Sequence, residues 1–405
     1  MNVLVINSGS SSLKFQLINM ERRETLGKGL IERIGIGGVV NFQPAGKEKT
    51  VAKLDIPDHN IALGYALESI LEPSAGIISD LSEIHAAAHR IVQGGAAMTG
   101  SVVITPELMK EFDKYTPLAP LHNPACLLGV EAAQSRLPDI PHIASFDTAY
   151  YSGMKEEAYI YALDYKCYEE LGYRKFGYHG ASHKYVNIRA AEFTGIDLSD
   201  FRSISCHIGG GVTIAASIGG MGVDTSLGYG TVCGAPMGTR SGDVDPEVIL
   251  QLITRDGYSP KAVKELIYKK SGLLGISGIS SDLRDILNAA EDNNPRAKLA
   301  LNIFTLSIRR YIAALAPSLD GRMDALIFTA GIGENSAATR SMICRGLEIF
   351  GIRLDEKLNA DCREEAVISA ADSIVKILVI PTDEEMMMGI ETEEILNNLN
   401  RRTNA

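Results

Sequence analysis

The sequence predicts an α/β fold assembled from two similar halves, on three observations. Runs rich in Val and Ile alternate with helix-type apolar patterns along the whole chain. A unit of strand, Gly/Ser turn and strand near the start returns about 200 residues later. At 405 residues, the chain exceeds what one hydrophobic core usually serves, so two domains are expected.

The first strand runs from Val3 to Ile6, a Gly/Ser turn covers Asn7 to Ser12, and a second strand lies around Leu13 to Ile18. Asn123-Pro124 opens a helix across 125–135. The stretch SISCHIGGGVTIAASIGG repeats the opening unit, with Gly209-Gly210-Gly211 as the turn and a strand from about Val212 to Ile218. Asp245-Pro246 reads as a helix start, with Asp as cap and Pro in the first turn. Leu299, Ile303, Leu306, Tyr311 and Leu315 mark the expected apolar face of a long helix over 296–315. A third strand and Gly turn read DALIFTAGIGENS, with Asn335 or Ser336 capping the next helix. Val375 to Ile380 is a strand. Thr382 and Glu385 then form a capping-box pattern before a last helix. Expected domains are 1–150 and 151–384, with helix 385–400 packing back on the first; similar halves should face a shared cleft.

Composition narrows the function. Apolar residues are 45% and charged residues 22%, an ordered globular balance. The net charge of −11 argues against a general nucleic-acid surface, so a phosphate ligand needs locally focused positive charge. The N-terminus lacks the pattern of a signal peptide, and no uncharged apolar run approaches a membrane span. Six widely spaced cysteines form no CxxC, which suits thiols in a reducing cytoplasm.

Several residues stand in settings suited to anion chemistry. The turn from Asn7 to Ser12, followed by Lys14, can form a backbone nest for an anion or be a plain hairpin turn. Gly209 to Gly211 lets backbone approach a phosphate, and Gly331-Ile332-Gly333 precedes a helix start. No GxxxxGK[ST] occurs. Arg90 lies among apolar neighbours and Arg240 between glycines; each suits a bidentate oxyanion or a structural ion pair. Asp147 closes the strand Ile143 to Phe146 as an orienting, metal-holding or paired carboxylate. His122, His179, His183 and His207 sit near Gly, Pro or Asn, where a histidine can hydrogen-bond a phosphoryl group.

Together these segments resemble the acetate kinase family of acyl-phosphate-forming kinases. The opening VLVINSGSSSLKFQL is joined by HRIVQGG, APLHNP, FDTAY, YHGASHKYV, MGTRSGDVDPE, SGISSDLRD, FTAGIGENS and IPTDEE, in order over the whole chain. The resemblance implies a duplicated actin-like, Hsp70-like fold, a homodimer and reversible phosphoryl transfer between ATP and acetate, giving acetyl phosphate and ADP. It also implies a divalent metal, Mg2+ or Mn2+. By motif match, Arg90 and Arg240 would hold the carboxylate, Asp147 would position the substrate, and His179, helped by His122, would stabilise the phosphoryl in flight. Asn7 and Glu384 would be tied to the metal. His207 and Gly209 to Gly211 would meet ATP phosphates, Lys14 adding charge. Asp282, Leu283, Arg284, Gly331, Ile332, Gly333 and Asn335 would line the adenosine site, and Val92, Leu121, Tyr178 and Thr231 the small acyl pocket.

The sequence departs from the family near this site. Gly210 replaces an Asn, Thr231 a Pro, Tyr178 a Phe and Asp383 an Asn. Gln93 and Tyr151 each stand where His is usual, and Cys233 where Glu is usual. These changes motivate two variants of the activity, a different short acid such as propionate or a different donor such as pyrophosphate. A non-catalytic paralogue is the remaining alternative. Arg90, His122, Asp147, His179 and Arg240 keep the family pattern.

Overall fold

The computed structural model describes residues 1–120 and 122–403, the side chains of 113, 402 and 403 excepted. The chain divides into two compact units. Unit 1 is Met1–Ser152 with the segment from Asp383 onward, and unit 2 is Gly153–Thr382.

Unit 1 carries one sheet. Its strands are β1 (Asn2–Gly9), β2 (Ser12–Asn19), β3 (Glu24–Glu32), β4 (Gly38–Pro44), β5 (Thr50–Leu54), β6 (Ala86–Ile91), β7 (Val102–Val103) and β8 (His142–Phe146), in the spatial order β5-β4-β3-β2-β1-β6-β8-β7. Unit 2 carries β9 (Arg202–Ile208), β10 (Val212–Ile218), β11 (Met221–Thr225), β12 (Ala325–Thr329), β13 (Ala366–Val367) and β14 (Lys376–Val379), in the order β11-β10-β9-β12-β14-β13. The two sheets match position by position. An antiparallel meander (β3-β2-β1, or β11-β10-β9) is extended by two parallel strands (β6 and β8, or β12 and β14) and closed by a short antiparallel edge. This is the duplicated α/β, actin-like architecture; β4 and β5 are extra in unit 1.

The repeated hairpins have tight ends. Gly9 pairs with Ser12, so the first turn is only Ser10-Ser11, and Asn7 and Ser8 belong to the strand rather than to a turn. Ile208 pairs with Val212, leaving Gly209–Gly211 as the second turn. On one face of the unit 1 sheet, Leu4, Ile6, Phe15 and Leu17 pack with Ala62, Leu63, Ala66 and Ile70 of the helix His59–Leu71. Each such large side chain contributes about 1.5–3 kcal/mol of hydrophobic free energy. Gly29 makes room for it, because a Cβ there would lie 2.3 Å from the Phe15 ring. In unit 2, Val186, Ala190 and Ala191 of the helix Gly180–Thr194 pack on Ile327 and Leu378.

Three local expectations are corrected. The long helix is present as Pro295–Leu315, but its buried face is Ala297, Ala300, Leu301, Phe304, Ile308, Ile312 and Leu315; Leu299 and Leu306 are exposed. Alanines between the large residues let the apolar pattern be drawn on a rotated face. By length and composition Pro295–Leu319 could cross a membrane; here one of its faces lies in the core, and Arg309 donates to the carbonyls of Met342 and Ile343. The last helix, Glu384–Thr403, starts under Asp383, whose carboxylate accepts from Met386 N at 2.9 Å. Thr382 is drawn away by Ser182, and Glu385 by Lys14, so the expected box does not close. The helix Asn123–Arg136 begins as expected, yet the Asn123 side chain binds the Gln93 backbone at both ends instead of capping. Asp245 and Ser336 do cap their helices.

Candidate active site

In unit 1 the parallel strands β1, β6 and β8 bring their carboxyl ends to one edge. Asn7 lies near the end of β1, Arg90 near the end of β6, and Asp147 just beyond β8. This is where open α/β sheets hold ligands. Arg90 meets Asp147 side-on, Nε to Oδ1 at 2.9 Å and Nη2 to Oδ2 at 2.8 Å. Its Nη1 lies 3.6 Å from Glu384 Oε2. Burial alone would lower the Arg90 pKa, but the Asp147 and Glu384 carboxylates outweigh it and push the pKa up. The Arg90 cation is therefore permanent, and its fork is aimed by Asp147.

Glu384 stands beside this pair, while its neighbour Glu385 is buried and holds Lys14 Nζ at 2.5 Å. The charge of Lys14, on β2 just after the Gly/Ser turn, is thus paired with Glu385. The Asn7 side chain makes no hydrogen bond among the described residues. Val92 packs beside Ile91, Phe112 and Phe146, and His122 precedes the helix Asn123–Arg136. Leu121 lies outside the described residues.

In unit 2 a cavity of about 650 Å³ gathers most of the expected nucleotide residues: Gly209, Gly210, Asp282, Leu283, Arg284, Gly331, Ile332 and Asn335. Gly238, Leu273, Ser281, Leu287, Phe304 and Ser336 complete its wall and were not anticipated, since their motifs carry no chemical signature of their own. Its volume and mixed apolar and polar wall suit a small-molecule ligand. Asp282 caps the helix Leu283–Glu291, grips Arg284 at 2.6 Å and donates its backbone N–H to Ser280 Oγ; both Asp282 and Arg284 line the cavity. Gly333 is not in the wall. It packs under β9 and β12, where an added Cβ would lie 3.5 Å from the Phe328 carbonyl carbon.

The glycine turn connects this cavity to the histidines. Gly209 and Gly210 face the cavity, and a Cβ on Gly211 would lie 2.8 Å from His179 Cε1. His179 and His207 stack with ring centroids 4.2 Å apart and 16° between planes. His179 Nδ1 is 2.7 Å from Thr213 Oγ1, and His207 Nδ1 is 2.8 Å from Ser182 Oγ. His183, behind them, is fully buried with Nδ1 on Ser205 Oγ, and burial drives its pKa well down. Two residues here adopt left-handed backbone: His179 at φ 56° and Ala330 at φ 64°. Such conformations cost about 1 kcal/mol or more in a residue with a side chain, and they cluster at functional sites.

Arg240 differs from Arg90. Its Nη1 meets only the Thr231 carbonyl at 3.1 Å and Met237 Sδ at 3.5 Å. No carboxylate pairs with it among the described residues. Burial lowers its pKa, with the Tyr268 phenol opposing. A half-buried guanidinium without a counter-charge has the chemistry to take an anion. Tyr178 is buried and donates its hydroxyl to the Tyr229 carbonyl at 2.7 Å, tying it to the loop that carries Thr231.

Among the described residues, no group of three or more His, Cys, Asp or Glu gathers around a cation position. Glu384 and Asn7 are oxygen donors of the hard type that magnesium takes.

The sequence model of the Acetokinase family matches residues 2–390. Acetate kinase of Bacillus subtilis is 48% identical over 386 residues, covering 95% of this chain and 97% of that protein. The crystal structure of Porphyromonas gingivalis acetate kinase superposes with a TM-score of 0.92 at 44% identity, over 98% of this chain and 99% of that one. A propionate kinase from Francisella tularensis superposes with a TM-score of 0.89 at 34% identity, over 96% and 98% of the two chains.

Proposed function

The chain belongs to the acetokinase family, and on that premise we propose that it moves the terminal phosphoryl group of ATP to the carboxylate of acetate, reversibly, giving acetyl phosphate and ADP. The observation that carries this reading is a continuity within unit 2. A nucleotide-sized cavity is walled by Gly209 and Gly210, and the same turn abuts the stacked His179 and His207. Adenosine in the cavity directs its phosphates along the turn toward the two imidazoles.

The reaction demands alignment and charge compensation more than a base. Acetate is already ionised near neutral pH, so no proton need be removed from it. Asp147 is accordingly an orienting group: its two bonds hold the Arg90 fork in one plane. Arg90 and Arg240 offset the charge of the carboxylate and the equatorial phosphoryl oxygens. His179 donates a hydrogen bond to those oxygens as charge builds on them, assisted by His122. Val92 of unit 1 and Tyr178 and Thr231 of unit 2 are the residues that the family resemblance assigns to the acyl group; Leu121, assigned with them, lies outside the described residues.

A divalent ion, Mg2+ or Mn2+, would screen the charge on the phosphates. Glu384 and Asn7 would hold it. So small a protein donor set suits an ion that arrives with the nucleotide and keeps most of its waters.

The six cysteines are all free thiols, which supports a cytoplasmic setting. The helix Pro246–Thr254 is rich in Val, Ile and Leu yet buries none of its residues, which supports a homodimer.

Acetate, ATP and magnesium supplied at saturation should yield acetyl phosphate, trapped as its hydroxamate. No product from well-folded protein would sink the proposal. A panel of acetate, propionate and butyrate against ATP and pyrophosphate should favour acetate and ATP. Replacement of Pro by Thr231 can shift acid preference by only about 1–3 kcal/mol per methylene, so some propionate turnover is expected.

A further inference from the structure

Three histidines of unit 2 place Nδ1 against a hydroxyl: His179 on Thr213, His183 on Ser205 and His207 on Ser182. A hydroxyl can give or accept a hydrogen bond, so the contact alone leaves the imidazole tautomer open. At His207 a second bond closes the question. Thr382 Oγ1 donates to Ser182 Oγ at 2.8 Å. Ser182 Oγ has no third hydrogen-bond partner among the described residues, so its single proton is directed to His207 Nδ1, 2.8 Å away. His207 Nδ1 is then the acceptor, and its proton sits on Nε2.

Thr382 is itself anchored. Its backbone N–H donates to Glu334 Oε1 at 3.1 Å, and the same oxygen accepts from Thr329 Oγ1 at 3.4 Å. Thr329 pairs with His207 across β12 and β9, so the anchor and the imidazole share one rigid strand pair. Ser182 is fully buried, which keeps water from competing for either of its bonds. His207 Nε2 lies 3.7 Å from the position a Cβ would take on Gly209. The nitrogen bearing the proton therefore borders the glycine turn.

We infer that Glu334, Thr382 and Ser182 form a positioning chain that locks His207 in the Nε2–H tautomer, so that it presents a neutral N–H donor at the glycine turn to an oxygen of the nucleotide phosphates. The tautomer follows from the hydrogen bonds alone; the phosphate as recipient rests on the function proposed above. Ser182, Thr382 and Glu334 are positioning residues, because each acts through His207.

The test is long-range 1H–15N correlation on full-length protein labelled at the histidine ring nitrogens, with His207 assigned by loss of its signals in His207→Asn. An unprotonated Nδ1 and protonated Nε2 are expected at neutral pH. In Ser182→Ala the Nδ1 acceptor loses its donor, so the Nδ1–H tautomer should gain population. The KM for ATP should rise about five- to tenfold, the weight of one hydrogen bond, with a smaller change in KM for acetate. Ser182→Cys retains a weaker donor and should fall between. Thr382→Val removes the bond that directs Ser182 and should mix the tautomers without touching Ser182 itself. A protonated Nδ1 on His207 in the unaltered chain overturns the inference. The expected tautomer together with an unchanged KM for ATP in folded Ser182→Ala leaves the lock standing and overturns instead the placement of His207 at the phosphates.

Discussion

Replacing Gly211 by Ala while leaving its neighbour Gly210 as a control isolates the position of His179. Neither glycine has a positive φ, so alanine carries no backbone penalty at either place. At Gly210 a Cβ meets nothing within 4 Å. At Gly211 it would sit 2.8 Å from His179 Cε1 and 3.0 Å from Nε2. Carbon contacts settle near ~3.5 Å, so from 2.8 Å the imidazole must retreat by roughly 0.7 Å. It has little room, with His207 stacked at 4.2 Å and Thr213 bonded at 2.7 Å. A misplacement of ~1 Å at a reacting centre costs about 10²-fold, so this shift predicts a fall in kcat of roughly 10- to 50-fold, about 1.4–2.3 kcal/mol. Gly210→Ala should stay within about twofold, since it adds no contact and removes none. The assay is acetyl phosphate formation with kcat and both KM values for the two variants, beside thermal melting to verify the fold. Full activity in Gly211→Ala, or an equal loss in both variants, would refute the argument that the turn sets the place of His179. Gly210→Asn, which restores the residue usual in the family, has the same open space and should fold normally.

Arg240→Ala should lower kcat by about 10³-fold, on the order of 4 kcal/mol, with the melting temperature almost unchanged, because no carboxylate loses its partner. Arg240→Lys should recover only part of the rate, as it lacks the planar fork; full recovery would show that charge alone suffices. Asp147→Asn leaves the Arg90 cation without its bidentate counter-charge and should cost about 3 kcal/mol in urea unfolding, besides activity. Unchanged stability would mean that Glu384 alone compensates Arg90. His89 is buried against His142, and burial, with the neighbouring ring, lowers its pKa to about 3. The unfolded chain takes up a proton there below about pH 6.5 and the folded chain does not, so stability is present above that value and is lost as pH falls toward 3. At pH 5 the loss is ~2 kcal/mol. His89→Gln, which keeps an amide donor toward His142, should flatten the urea midpoint between pH 7 and pH 5; an unaltered pH slope would contradict this source.

Many residues of the candidate site can be picked out in the chain because their chemistry is local. Gly209–Gly211, His179, His207 and Arg240 announce themselves by residue type and flanking glycines, and Val and Ile runs mark the strands that carry them. Misreadings arose where a local pattern met a distant competitor. Thr382 and Glu385 have the spacing of a capping box, but Ser182, distant in sequence, takes the Thr382 hydroxyl, and Lys14 takes the Glu385 carboxylate. The long helix had the right length and the wrong face, because alanines leave the phase of a periodic pattern open while the sheet beneath it does not.

Sequence by itself determined the family, the alternation of strands and helices, the duplication of the hairpin and the supply of side chains suited to anions. Those are properties of residue type and order, and they survive without contacts. Only the tertiary structure decided which charges are spoken for. Arg90 is gripped by Asp147 while Arg240 keeps its fork free of any carboxylate among the described residues, although both are arginines in similarly unusual settings. The reason is that a charge's partner is set by three-dimensional proximity at a few ångströms, where Coulomb and hydrogen-bond energies become large, and chain order does not encode that distance.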